Sequence, residues 1–109
     1  MITSVSAVSW SSPSGGDIFS DNVDGNIDLT ASNFDGAAVN VTFEFRDQGS
    51  SDSFVPIGTE DVGGSEVTYS GWNLAEPGSG EYELQVRTQD TDGNQVDTAS
   101  IDITVDNSA

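Results

Sequence analysis

The sequence predicts an all-β domain built as a two-layer sandwich of antiparallel strands. Three observations predict it. Apolar residues recur at every second position in short stretches separated by turns rich in Gly, Asp and Asn. No stretch of useful length carries a helical apolar period. The 109 residues match the size of one sandwich, and bury one modest core rather than two.

The elements follow in chain order. Ile2 to Trp10 reads as a first strand anchored by Val8 and Trp10. Ser11 to Asp24 is a loop of Ser, Gly and Asp, with Ile18 and Phe19 as an apolar island. Ile27, Leu29 and Ala31 then alternate with Asp28, Thr30 and Ser32, as in a half-buried strand, and Asp35-Gly36 marks a turn. The clearest strand comes next. Val39, Val41, Phe43 and Phe45 share one face, Asn40, Thr42, Glu44 and Arg46 the other, so the apolar face must meet a second sheet. It is expected to face Leu84, Val86, Ile101 and Ile103.

Gln48 to Ser53 is a loop. Phe54 to Ile57 is an edge or irregular strand, because Pro56 lacks the N–H a central strand needs. Gly63-Gly64 turns the chain, and Glu66 to Trp72 forms a strand with Val67, Tyr69 and Trp72 apolar. After a loop around Pro77, Tyr82, Leu84 and Val86 alternate with Glu81, Glu83, Gln85 and Arg87. Asp92-Gly93-Asn94 is a strong hairpin turn. The last strand turns Ala99, Ile101, Ile103 and Val105 inward. These make about seven strands, the number in a constant-type immunoglobulin sandwich, so the expected fold is an immunoglobulin-like β-sandwich. One domain spans residues 1–109, with 106–109 as the start of a linker.

The C-terminal half carries a family resemblance. Gly80-Glu81-Tyr82-Glu83-Leu84, then Asp90-Thr91-Asp92-Gly93-Asn94, then Ile101-Asp102-Ile103-Thr104-Val105-Asp106-Asn107 resemble a strand, hairpin and closing strand of bacterial and archaeal immunoglobulin-like repeats, and Trp72 fits a Trp found there. The resemblance implies a tandem module of large cell-surface proteins such as adhesins, surface-layer proteins or stalks. Tyr82, two residues before Leu84, also resembles the tyrosine corner, whose hydroxyl ties a loop to the sandwich. Antibody domains carry a Cys pair; this chain has no Cys, and Leu29 and Leu84 take the equivalent positions.

Charge is the other strong signal. The chain has 19 Asp and Glu against two Arg and no Lys, a formal net charge of -17. That repels nucleic acid, whose binding needs a basic patch, and anionic lipid surfaces. Proteins from halophiles carry such self-repulsion for solubility, and the absence of Lys points to a halophilic archaeon; an ordinary acidic extracellular module is the alternative. No apolar run approaches membrane-spanning length. The N-terminus lacks the basic and apolar regions of a signal peptide, so a secreted domain would be an excised piece.

The chain has no His and no Cys, so the commonest general base and the best nucleophile are absent, and no enzyme activity is expected. Asp90, Asp92 and Asn94 have the spacing that begins a calcium loop, and Asp35 falls at the same end of a sandwich. Asp21, Asn22, Asp24 and Asn26 form a second acidic cluster, which Asp106 could join at the other end. Neither cluster has the Glu partner of a complete loop, and the same residues are preferred in hairpin turns because they tolerate positive φ. The reading therefore stays open between turn chemistry and calcium. Asn40-Val41-Thr42 is a glycosylation sequon on an outward strand face.

The aromatics read most simply as core, with Phe19, Phe34 and Phe54 adjacent to loops. The expected function is a non-catalytic extracellular spacer or adhesion module, partnered by neighbouring domains or other surface proteins and needing no cofactor beyond calcium. The alternatives are a capsid-decoration or appendage module and a carbohydrate-binding module.

Overall fold

A computed structural model describes residues 8–20, 25–75 and 77–106. Its strands are β1 (Ser9–Ser12), β2 (Ile18–Phe19), β3 (Asn26–Ser32), β4 (Asn40–Asp47), β5 (Val55–Asp61), β6 (Glu66–Asn73), β7 (Gly80–Gln89) and β8 (Gln95–Val105). They form a three-stranded sheet, β1-β3-β6, and a five-stranded sheet, β2-β8-β7-β4-β5. All pairings are antiparallel except β2 with β8. The protein is an all-β, immunoglobulin-like sandwich.

Period-two alternation builds the core. β3 contributes Leu29 and Ala31, β6 contributes Val67 and Trp72, and these meet Val41, Phe43, Leu84, Val86, Ile103 and Val105 of the larger sheet. Leu29 and Leu84, in opposite sheets, are both fully buried, so packed leucines fill the positions that antibody domains bridge with a disulfide. On β5, Gly58 lies under the Tyr69 ring of the other sheet, where a Cβ would overlap the ring. The absence of a side chain lets the two edge strands close together there.

Several expectations need correction. Leu84 and Val86 do not lie across the sandwich from Phe45 and Phe43 but beside them, as register partners on the adjacent strand. Alternation says which face a residue takes, not which strand is its neighbour. Val39 is exposed and precedes β4; its backbone is held by Gln89 and Val62, just outside the strand. Ile101 and Phe45 are only partly buried. Glu44, expected outward in solvent, is buried, and so is Thr42, because β5 and β7 flank the central strand and their side chains cover its outer face.

The first strand was expected over Ile2 to Trp10. Within the described residues it runs from Ser9 to Ser12, and residues 1–7 lie outside them. The apolar island Ile18–Phe19 is itself a strand, which makes eight among the described residues, close to the seven or so expected. The Pro56 segment is an edge strand as expected, but longer than Phe54 to Ile57.

Candidate functional site

The sandwich has two ends. Val8, the loop after β3 and the β7–β8 hairpin lie at one: Val8 N–H bonds Asp97 Oδ2 (2.8 Å) near the start of β8, and Val39 N–H bonds Gln89 O (2.8 Å). Asp106 lies at the other, where its N–H bonds Phe19 O (2.7 Å) and Gly80 pairs with Val105. The described chain therefore enters at one end and leaves at the opposite one.

The predicted calcium residues gather at the entry end, and their geometry is that of turns. Asp90 Oδ1 accepts the N–H groups of Asp92 (2.9 Å) and Asn94 (3.0 Å), and Gly93 takes the positive φ of 84° that the hairpin requires. Asp35 Oδ1 accepts the Ala37 N–H (2.9 Å). Among the described residues, no three acidic side chains converge as a metal-holding group. Asp21, Asn22 and Asp24 of the second cluster lie outside the described residues.

At the exit end the tyrosine corner is formed. Tyr82 is buried, and its hydroxyl contacts the carbonyl oxygens of Pro77 and Gly78 (3.1 Å to the latter). Burial pushes its phenol pKa above the usual value, and the charge of Asp47 adds to the shift. Phe45 packs against both Tyr82 and Trp72, with ring centroids 5.8 and 5.4 Å apart.

The outer face of the five-stranded sheet carries both cations of the chain. Arg46 Nε bonds Glu83 Oε1 (2.9 Å), its guanidinium bonds the Asp52 carbonyl (3.0 Å), and it stacks over Phe54 at 4.2 Å. Glu44, only 5% exposed, is held by Gln85 and by Arg87 at 3.5 Å. Sequence reasoning missed this network. Its signal is visible in retrospect: Glu44 and Arg46, and Glu83, Gln85 and Arg87, are spaced by two on adjacent strands. Asn40, at the start of β4, is half-buried between Asp61 and Gln89, less accessible than an outward position suggested. Phe19 and Phe34 pack on the core and Phe54 under Arg46. The large apolar residues exposed among the described residues are Ile18, Val39 and Val55, none of them aromatic.

No protein-family model and no curated protein matches the chain. Solved structures do. The fibronectin(III)-like modules of Clostridium thermocellum CbhA match with a TM-score of 0.59 and 18% identity over 90% of this chain and 93% of that one. The likeness is one of fold. A superoxide reductase (neelaredoxin) from Ignicoccus hospitalis matches with a TM-score of 0.62 and 12% identity over 94% of this chain and 82% of that one. An engineered protein matches with a TM-score of 0.61 and 13% identity, over 93% of this chain but 20% of that one. At these identities only the architecture carries over. The reductase's activity belongs to that protein; this chain holds neither imidazole nor thiol.

Proposed function

We propose that this chain is a non-catalytic spacer or adhesion module, working outside the cell on a surface protein of a halophilic archaeon. The observation that carries the reading is the path of the chain. The first and last described residues, Val8 and Asp106, lie at opposite ends, so neighbours joined there would be held apart by the length of the sandwich, roughly 30 Å for a ten-residue strand such as β7.

The same path suits tension. β2 and β8 run parallel, and Gly16 N–H to Asp102 O (2.7 Å), Thr104 N–H to Asp17 O (3.0 Å) and Asp106 N–H to Phe19 O (2.7 Å) join these segments near the exit. A pull between the ends loads these bonds together in shear instead of opening them one at a time. The likeness to fibronectin(III)-like modules, the acidic composition and the absence of His and Cys support the reading. Calcium at the Asp35, Asp90, Asp92 and Asn94 end, and a glycan on Asn40, belong to the same proposal.

The test is single-molecule extension of the full chain held at its two ends. The reading expects one abrupt rupture of the whole sandwich. Gradual extension at low force, with the strands peeling in sequence, would overturn it.

A further inference from the structure

The outer edges of the two sheets differ in how they are closed to another strand. An edge strand leaves backbone N–H and C=O groups unpaired, and proteins blunt such edges with short strands, proline, charge or bulges. β1 has four residues and runs into Pro13. β2 has two. β5 carries Pro56, breaks register opposite Phe43 and Glu44, and ends on Glu60 and Asp61.

β6 is blunted only by Glu66, its first residue, and by Gly71, whose φ of 79° falls at the register shift opposite Ile27 and Leu29, beyond which the strand runs on to Asn73. Between them, Val67 to Ser70 hold no Pro, Gly or charge, and Val67, Thr68 and Tyr69 pair in unbroken register with Ala31, Thr30 and Leu29. Val, Thr and Tyr favour extended structure. Thr68 and Ser70 are exposed, and among the described residues no strand pairs with the other side of β6. Constant-type immunoglobulin sandwiches carry a fourth strand at this edge; here the strand after β4 joins the other sheet.

Charge says what would fit. Both Arg residues sit on the outer face of the larger sheet, paired with Glu83 and Glu44. β6 itself begins with exposed Glu66, and beside it on β3 stands exposed Asp28, whose Oδ1 accepts the Gly71 N–H (3.1 Å); Glu60 and Asp61 lie on β5, which packs close to β6. Among the described residues the edge is thus open, β-prone and flanked by carboxylates with no cation between them.

We propose that the β6 edge accepts an extended, Lys- or Arg-bearing segment of another protein as a fourth strand. Backbone hydrogen bonds would supply affinity, and cationic side chains over the Asp28 and Glu66 face would select the partner. This does not depend on the spacer reading, since a strand acceptor can stand on any surface module.

The test uses the full chain and a ten-residue peptide of alternating Val and Lys, at low ionic strength. A control peptide of the same sequence and charge is N-methylated at every second residue, in both phases, so that one version lacks the edge-facing N–H groups. The proposal expects amide exchange at Val67–Ser70 to slow at least about tenfold with the plain peptide, while β5 is unchanged. One methylated phase should bind at least about tenfold more weakly than the other. Glu66→Lys should weaken the plain peptide severalfold without changing the protein's melting temperature by more than about 2 °C. Equal binding of all three peptides would mean nonspecific adhesion to a polyanion and overturn the proposal. So would protection at another edge, or β6 protection that needs only high protein concentration, which would signal pairing with a second copy.

Discussion

On the inner side of the three-stranded sheet stand Leu29, Ala31, Val67 and Trp72; on the inner side of the five-stranded sheet stand Val41, Phe43, Leu84, Val86 and Ile103. The outer sides part company. The small sheet is covered by short hydroxyl side chains bonded across strands, Thr30 to Thr68 (2.9 Å) and Ser11 to Ser32 (2.8 Å). The large sheet is covered by long charged ones, with Glu44, Glu83, Arg46 and Arg87 in ion pairs. β4 and β3 each have neighbours on both sides. The outer side chains of β4 are walled in, Glu44 most of all, and a carboxylate there needs partners; the outer Thr30 and Ser32 of β3 are half-buried hydroxyls that bond across strands instead.

The inner half of the comparison predicts the largest effects. Leu29→Ala and Leu84→Ala remove fully buried side chains from opposite sheets, and each should cost about 2–5 kcal/mol in denaturant unfolding. Equal losses confirm one shared core; a small loss at Leu29 alone would show that the small sheet is loosely docked.

The outer half predicts a contrast. Glu44→Ala leaves Gln85 and Arg87 without their acceptor in a covered site and should cost about 1–3 kcal/mol. Thr68→Val, on the exposed hydroxyl face, should stay within about 0.5 kcal/mol of the parent. If the two substitutions cost the same, the outer faces do not differ energetically in the way their chemistry indicates.

Tyr82→Phe sharpens the view at the exit end and should cost about 0.5–1.5 kcal/mol, the net worth of the corner hydrogen bond. It also carries a pH signature. The folded phenol holds its proton to higher pH than the unfolded one, whose pKa is about 10. Above that pH the unfolded chain ionises first and binds fewer protons, so this contribution to stability is present below pH ~10 and is lost as pH rises toward the folded value. The phenylalanine variant should show a shallower alkaline loss of stability than the parent; identical slopes would contradict a buried corner hydroxyl.

Much of this architecture could be read from alternation. Val41 and Phe43, Leu29 and Ala31, and Tyr82, Leu84 and Val86 all point where period two places them, because a one-residue slip would bury their polar neighbours. The tyrosine corner was legible because its spacing is local. What could not be read depends on which strands become neighbours. Glu44 is charged and outward by alternation, and only the flanking strands show that it is covered. Val39 continues the pattern of β4, and only the folded chain shows that the strand begins after it and leaves it exposed. The D-x-D-G-N stretch from Asp90 has two chemistries in sequence, and the Asp90 carboxylate is seen capping a hairpin because its backbone N–H partners come within reach only when the turn forms.

The acidic composition is the feature on which the proposed setting rests. Its carboxylates crowd a small domain with two compensating cations for a formal charge of -17. Exposed charges repel across about 10 Å at 0.1 M salt and across about 3 Å at 1 M, and unfolding relaxes that repulsion. The most direct measurement is a thermal melt of the full chain in KCl from low to molar concentration, with calcium and magnesium compared at fixed ionic strength. A surface built for high salt predicts a melting temperature that keeps rising into the molar range, by at least about 5 °C, which corresponds to about 1 kcal/mol for a domain of this size. A rise at sub-millimolar calcium alone, abolished in Asp92→Ala, would instead assign the entry-end residues a specific ion. A melting temperature flat from low to molar salt would contradict the halophilic account.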